Sequence, residues 1–304
     1  PLRAWRGRGG ARFDRAGTAI AKRFVRLIVP YAVALILTVL VTAAVRPWME
    51  HPSVSEPPTL PQLVANALLL QDIVGQDALS AGVWYVAIDF QLFALSVLML
   101  AGIRALPGAW AQRHAAMLWQ GLVVVLTAGS LWVFNRMAGL DMWALYFFGA
   151  YGLGMLSYWA AHAPRARGGL LVMVALVVVA LAIDFRGRIA VAGVTALGLA
   201  WGMRSDRLRS WRGMTPLVHL GQMSYSVFLI HFAVCLLVNA VVSRAWPMSA
   251  EINAVGMVLA FVLSLAAGWL LYHRVERHVP SWAAALRWQA GLVGMGALIM
   301  ALSD

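Results

Sequence analysis

Apolar residues run along this chain in blocks rather than in alternation. Stretches at about 27–45, 82–103, 115–134, 142–161, 169–183, 189–203, 217–242, 252–273 and 284–302 are almost continuous in aliphatic and aromatic side chains. Spanning a bilayer takes about 20 apolar residues in a helix. Backbone inside the bilayer must satisfy its own polar groups, so runs of this length read as helices. The pattern predicts an all-α polytopic transmembrane bundle of about nine helices, in one domain over residues 1–304. The fifth and sixth blocks are short, and 284–302 is a possible extra helix whose start is interrupted by Arg287 and Gln289. Residues 1–24 read as a basic segment preceding the first helix. Residues 46–81 form the longest loop, whose apolar patch at 68–70 would cover an outer cavity mouth or merely lie in a connector.

Composition fits this pattern. Hydrophobic residues make up 62% of the 304 positions, with a mean hydropathy of +0.77, well above the apolar share of soluble domains. The net charge is +12, and Lys22 is the single lysine. In a soluble protein such a charge would suggest nucleic acid, but here sidedness accounts for it and no nucleic-acid role is expected. If the N-terminus is cytoplasmic and each block crosses once, 19 of the 24 basic residues fall on one side and five on the other: Arg46, Arg136, Arg186, Arg188 and Arg244. That asymmetry is the positive-inside rule. The lone Cys235 supports neither a disulfide nor a thiolate metal site, and no histidine or cysteine spacing resembles a zinc site. The chain opens at Pro1 and is read as a fragment whose N-terminal part is removed.

Three clusters carry candidate chemistry. Arg23 and Arg26, three apart on one helical face, offer guanidinium forks suited to phosphate; they also suit topology anchoring and lipid headgroups. Asp89 is the one carboxylate well inside an apolar block. Placing it there costs roughly 2.5–3.5 kcal/mol on insertion scales, so a partner or water should offset it. In the stretch 220–232, Ser224, Phe228 and His231 share a stripe at i, i+4, i+7. His231 lies ~21 Å along the helix from the inner end, a depth at which it and Asp89 could share a cavity. Histidine can act as a general base near neutral pH, and a carboxylate can orient it. Glu276 reads as an interfacial carboxylate pairing with Arg274 or Arg277.

Taken in order, these clusters resemble the acyltransferase 3 family of integral membrane acyltransferases. The matching elements are Arg23-x-x-Arg26 with Pro30-Tyr31, Trp84-Tyr-Val-Ala-Ile-Asp89-Phe-Gln91, and Phe148-Gly149 through Gly154-Met155. They continue with Leu220-Gly221-x-x-Ser224-Tyr225-x-x-Phe228-Leu229-x-His231 and end with Tyr272-x-x-x-Glu276-Arg277. Asp89 stands where the family has Glu, and Tyr85 where it has Ser. The resemblance implies transfer of an acyl group, often acetyl, from cytoplasmic acyl-CoA, a donor substrate rather than a permanently bound cofactor. The acceptor would be a cell-envelope carbohydrate or lipid-linked glycan, and the location a bacterial inner membrane, among its lipids. It implies that Arg23 and Arg26 hold CoA phosphates. Asp89 and His231 would act catalytically on the acceptor side, with Trp84, Ser224 and Tyr225 binding substrate. A further histidine would come from one or two family helices upstream of this chain. Two other readings stay open at this point: a proton-coupled transporter or flippase, and a non-catalytic membrane sensor of the same fold.

Overall fold

The structure, a computed structural model, describes residues 2–163, 166–210, 213–246 and 249–303. Arg165 and Arg212, both counted on the arginine-rich side, lie outside the described residues. The described residues form twelve α-helices and no strand: α1 (Leu2–Val45), α2 (Leu60–Ala67), α3 (Trp84–Ala105), α4 (Ala109–Arg113), α5 (Ala115–Trp132), α6 (Ala144–His162), α7 (Ala166–Ile183), α8 (Gly187–Arg204), α9 (Asp206–Ser210), α10 (Met214–Ala245), α11 (Ala250–Leu271) and α12 (Trp282–Ser303). The nine long helices match the nine apolar blocks in order. Among the described residues, six helical stretches are long and apolar enough to cross a membrane: Phe13–Val45, Trp84–Ala105, Ala115–Arg136, Met214–Ala245, Ala250–Glu276 and Trp282–Ser303. Arg167–Ile183 is apolar but shorter. In α6 and α8, glycines dilute the apolar run.

The basic segment 1–24 is not separate from the first helix. Helix α1 starts at Leu2 because alanine and arginine are strong helix formers and no proline intervenes before Pro30. Pro30 then sits inside the helix, where it removes one backbone hydrogen bond and crowds the preceding turn.

The chain divides into two compact units, Pro1–Ile20 with Ile88–Thr215, and Ala21–Ala87 with Pro216–Asp304. In the first, α5, α6, α7 and α8 enclose a core of Leu131, Leu153, Leu156, Met173, Ile189 and Ala196. Small residues set the α5–α6 distance, as is usual between membrane helices. A Cβ on Gly149 would lie 2.7 Å from Leu131, and one on Gly152 would collide with Thr127. Gln91 explains itself here: its Oε1 accepts from Ala144 N at 2.9 Å and its Nε2 donates to Met142 O at 3.1 Å. It thereby satisfies an N–H that the start of α6 would leave open. At the other end of α6, Arg204 donates to the carbonyls of Ala160, Ala161 and Ala163.

In the second unit the long loop is an ordered element. Thr59 and Gln62 form a capping box at the start of α2. The buried Asn66 side chain donates to Asp77 O at 3.0 Å and accepts from Leu79 N at 3.1 Å, fastening the loop's return limb. Leu69 is buried while Leu68 and Leu70 are exposed, so the 68–70 patch is split between core and surface. Gly82, at φ +81°, turns the chain into α3 with its backbone against the Phe228 ring, a conformation that favours glycine.

Helix α12 holds this loop. A Cβ on Gly296 would meet Leu63 of α2, and Gln289 Nε2 donates to Ala67 O at 2.6 Å. The polar residue that interrupts the apolar block is thus the partner of the carbonyl that closes α2. Gln289→Leu should lower stability by roughly 1–3 kcal/mol by orphaning that carbonyl. Thermal unfolding in detergent reads this, and an unchanged midpoint would show that the bond contributes nothing.

Candidate functional site

Helix α10 carries the densest set of candidate residues, and the structure sorts them differently from the sequence. Ser224 is exposed, and its hydroxyl donates to Gly221 O one turn back at 2.8 Å. The buried hydroxyl is that of Ser226, which donates to Glu276 Oε2 at 2.6 Å. Glu276 closes a widened π turn, Tyr272–Glu276, that continues α11. Such a turn shifts the register of the residues after it, and the carboxylate meets α10 instead of the neighbouring Arg274 or Arg277.

Two turns beyond Ser224, His231 is half-buried and its Nδ1 lies 2.7 Å from Phe228 O. A carbonyl only accepts, so this nitrogen carries the proton in the neutral ring. The Nε2 lone pair is then the one open for chemistry. A backbone carbonyl of its own helix thus orients the His231 ring.

His231 lines a cavity of about 990 Å³ within the second unit, at the upper end of the range for small-molecule sites. Its walls are α10 (with Cys235, Asn239 and Ser243 on the same stripe as His231) and α11 (with Asn253 and Ser264). Its edge is Met49, Glu50, His51 and Ser53. The start of the long loop, rather than the 68–70 patch, therefore borders the cavity. Asp89 is not among the lining residues; it is half-buried on α3 and belongs to the first unit.

The start of α3 reaches α10 through aromatic contacts. The Trp84 and Tyr85 rings meet edge-on at 6.1 Å, Tyr85 meets Phe228 edge-on at 5.9 Å, and Phe228 lies 6.0 Å from His231. Tyr85 and Phe228, given no role from sequence alone, join two of the candidate clusters.

Arg23 and Arg26 sit one turn apart on α1, the first half-buried and the second exposed. Phe24 between them stacks on Trp282 at 6.2 Å. The Tyr225 hydroxyl donates to Leu27 O at 3.0 Å, next to the turn that Pro30 disturbs, where backbone carbonyls are open to side-chain donors. One residue of the α10 motif thus holds the helix turn that carries Arg26. Beyond Pro30, the Tyr31 hydroxyl is buried without a hydrogen-bond partner among the described residues.

A family model described as an acyltransferase domain matches residues 10–273. No curated protein and no solved structure matches the chain.

Proposed function

Because the chain belongs to acyltransferase family 3, we propose that it moves an acyl group, acetyl in the simplest case, from cytoplasmic acyl-CoA to a hydroxyl of a cell-envelope carbohydrate or glycan. The general activity, a membrane acyltransferase, rests on the family and on the six membrane-length apolar helices. The observation that carries the finer reading is His231, held in one tautomer by Phe228 O and lining a cavity large enough for a sugar.

In this reading the acceptor occupies the cavity between α10 and α11. The Nε2 of His231 takes the proton of the acceptor hydroxyl as its oxygen attacks the thioester carbonyl carbon. The tetrahedral intermediate then collapses, the carbon–sulfur bond breaks, and the leaving CoA thiolate takes the proton from the His231 imidazolium, which restores the neutral ring. Asn239, Ser243 and Ser264 supply the polar lining that orients a carbohydrate. Trp84, exposed at the start of α3, is not among the residues that line this cavity. Arg23 and Arg26 hold the donor's phosphates by charge-assisted hydrogen bonds, on the side that the arginine bias marks as cytoplasmic.

Binding of radiolabelled acetyl-CoA to the protein in detergent tests the donor half. Arg23→Ala/Arg26→Ala should weaken it at least tenfold while the protein stays folded. Equal binding would return both arginines to topology and lipid contact. Tyr225 is a positioning residue for the same site. Tyr225→Phe should cost about 1 kcal/mol of stability, the net worth of one hydrogen bond, and should raise KM for acyl-CoA with little change in kcat. A fall in kcat at constant KM would instead place Tyr225 at the reacting atoms.

A further inference from the structure

Five of the 24 basic residues fall on the arginine-poor side of the chain, and three of these, Arg136, Arg186 and Arg188, converge in the first unit. Arg186 and Arg188 both donate to Asn135 O, at 2.7 and 3.0 Å. Arg188 also donates to the Tyr146 hydroxyl at 2.9 Å and lies over that ring at 5.1 Å. Arg136 donates to Ala180 O at 3.4 Å. Asp184 accepts from Arg186 Nε at 2.7 Å. That bond holds the Asp184 carboxyl below the usual carboxylate range, and the charge of Arg136 adds to the pull.

Helix capping explains part of this arrangement. Each arginine uses one arm on a carbonyl at a helix end, as Arg204 does on the arginine-rich side. Two features exceed that role. Arg186 is the N-cap residue of α8 and Arg188 lies in its first turn, which contains no acidic residue. Both cations therefore stand at the positive end of the helix dipole, where an anion is the favoured neighbour. In addition, Arg136 Nε is buried and has no hydrogen-bond partner among the described residues. A donor left open beside two cations at a helix N-terminus suits an anion's oxygen, with the buried Asn135 Oδ1, also without a partner among the described residues, as the competing acceptor. The positive-inside rule also works against holding three arginines on this side.

We propose that Arg136, Arg186, Arg188 and the N-terminus of α8 bind a phosphate-bearing group at the arginine-poor end of the first unit. Guanidinium forks match phosphate oxygens in pairs, and one carboxylate, Asp184, competes for them. The proposal is independent of the acyl-transfer reading. The phosphate has two possible sources, an anionic lipid headgroup or a soluble sugar phosphate.

The full chain, purified in detergent, is tested with two probes: phosphatidylglycerol followed by native mass spectrometry, and glucose 1-phosphate followed by equilibrium binding. At least one should bind, with affinity falling as salt rises, and the probe that binds identifies the source. Arg136→Gln/Arg188→Gln should weaken it tenfold or more. Asp184→Asn should tighten it threefold or more, although it removes an ion pair and a purely structural role predicts no gain. Where the double variant does not fold, the Asp184→Asn comparison decides alone. Binding of neither probe, or affinities unmoved by Asp184→Asn, would overturn the proposal and leave the three arginines as helix caps.

Discussion

His231→Ala should reduce the rate of acyl transfer by about 10²–10⁴, the usual contribution of a positioned general base, with the helical bundle intact. The expectation rests on how the ring is held. Phe228 O fixes the proton on Nδ1, so Nε2 offers its lone pair without a tautomer change. The ring is half-buried on a cavity wall rather than locked in the core. Truncation removes the base but leaves no buried charge, so the melting temperature in detergent should move little. Purified variant and parent are compared for kcat and for thermal unfolding. A variant that folds and transfers at the parental rate removes His231 from the chemistry. One that melts much earlier assigns it to packing.

The second large effect concerns Gly268. A Cβ there would lie 2.8 Å from the backbone Cα of Val227 and would overlap its side chain. A backbone atom cannot rotate away, so any side chain must separate α11 from α10. Overpacking of this kind costs typically 1–3 kcal/mol, and Gly268→Val should reach the upper end or exceed it. Because Val227 also lines the cavity, the same displacement should lower transfer beyond what partial unfolding explains. Gly221→Ala is the matched control on α10: nothing lies within 4 Å of its added Cβ. Relief of glycine's chain entropy should make it neutral or slightly stabilising. If both substitutions lower stability alike, close packing at Gly268 is not the cause.

The helices were legible because membrane helices are long and apolar, and length is what the pattern reports. Their faces were not. In α10 lipid-facing and protein-facing positions are both apolar, so the periodicity that marks the buried side of a soluble helix is weak. The polar stripe that the sequence marks runs through Ser224, while Ser226, two residues on, is the buried hydroxyl. Adjacency in the chain points Glu276 to Arg274 or Arg277, whereas its partner in the structure is Ser226 on another helix, and the turn Tyr272–Glu276 is a π turn that no sequence pattern marks. Gln289 looked like an interruption because its partner, Ala67 O, lies 222 residues away in the chain. The His231 tautomer depends on a backbone carbonyl, which no side-chain pattern reveals. Composition and motif order pointed to the family, and residue roles emerged only from contacts across the bundle.

The most direct test of the account is transfer itself. The protein in detergent is supplied with radiolabelled acetyl-CoA and membrane glycans, beside the Arg23→Ala/Arg26→Ala and His231→Ala variants. The account predicts label in glycan with the parent, little with the arginine variant at limiting donor, and little with His231→Ala at any donor concentration. Parental transfer by both folded variants would contradict the assignment of donor and base to these residues. No transfer from any acyl-CoA would contradict the acyl-CoA donor itself.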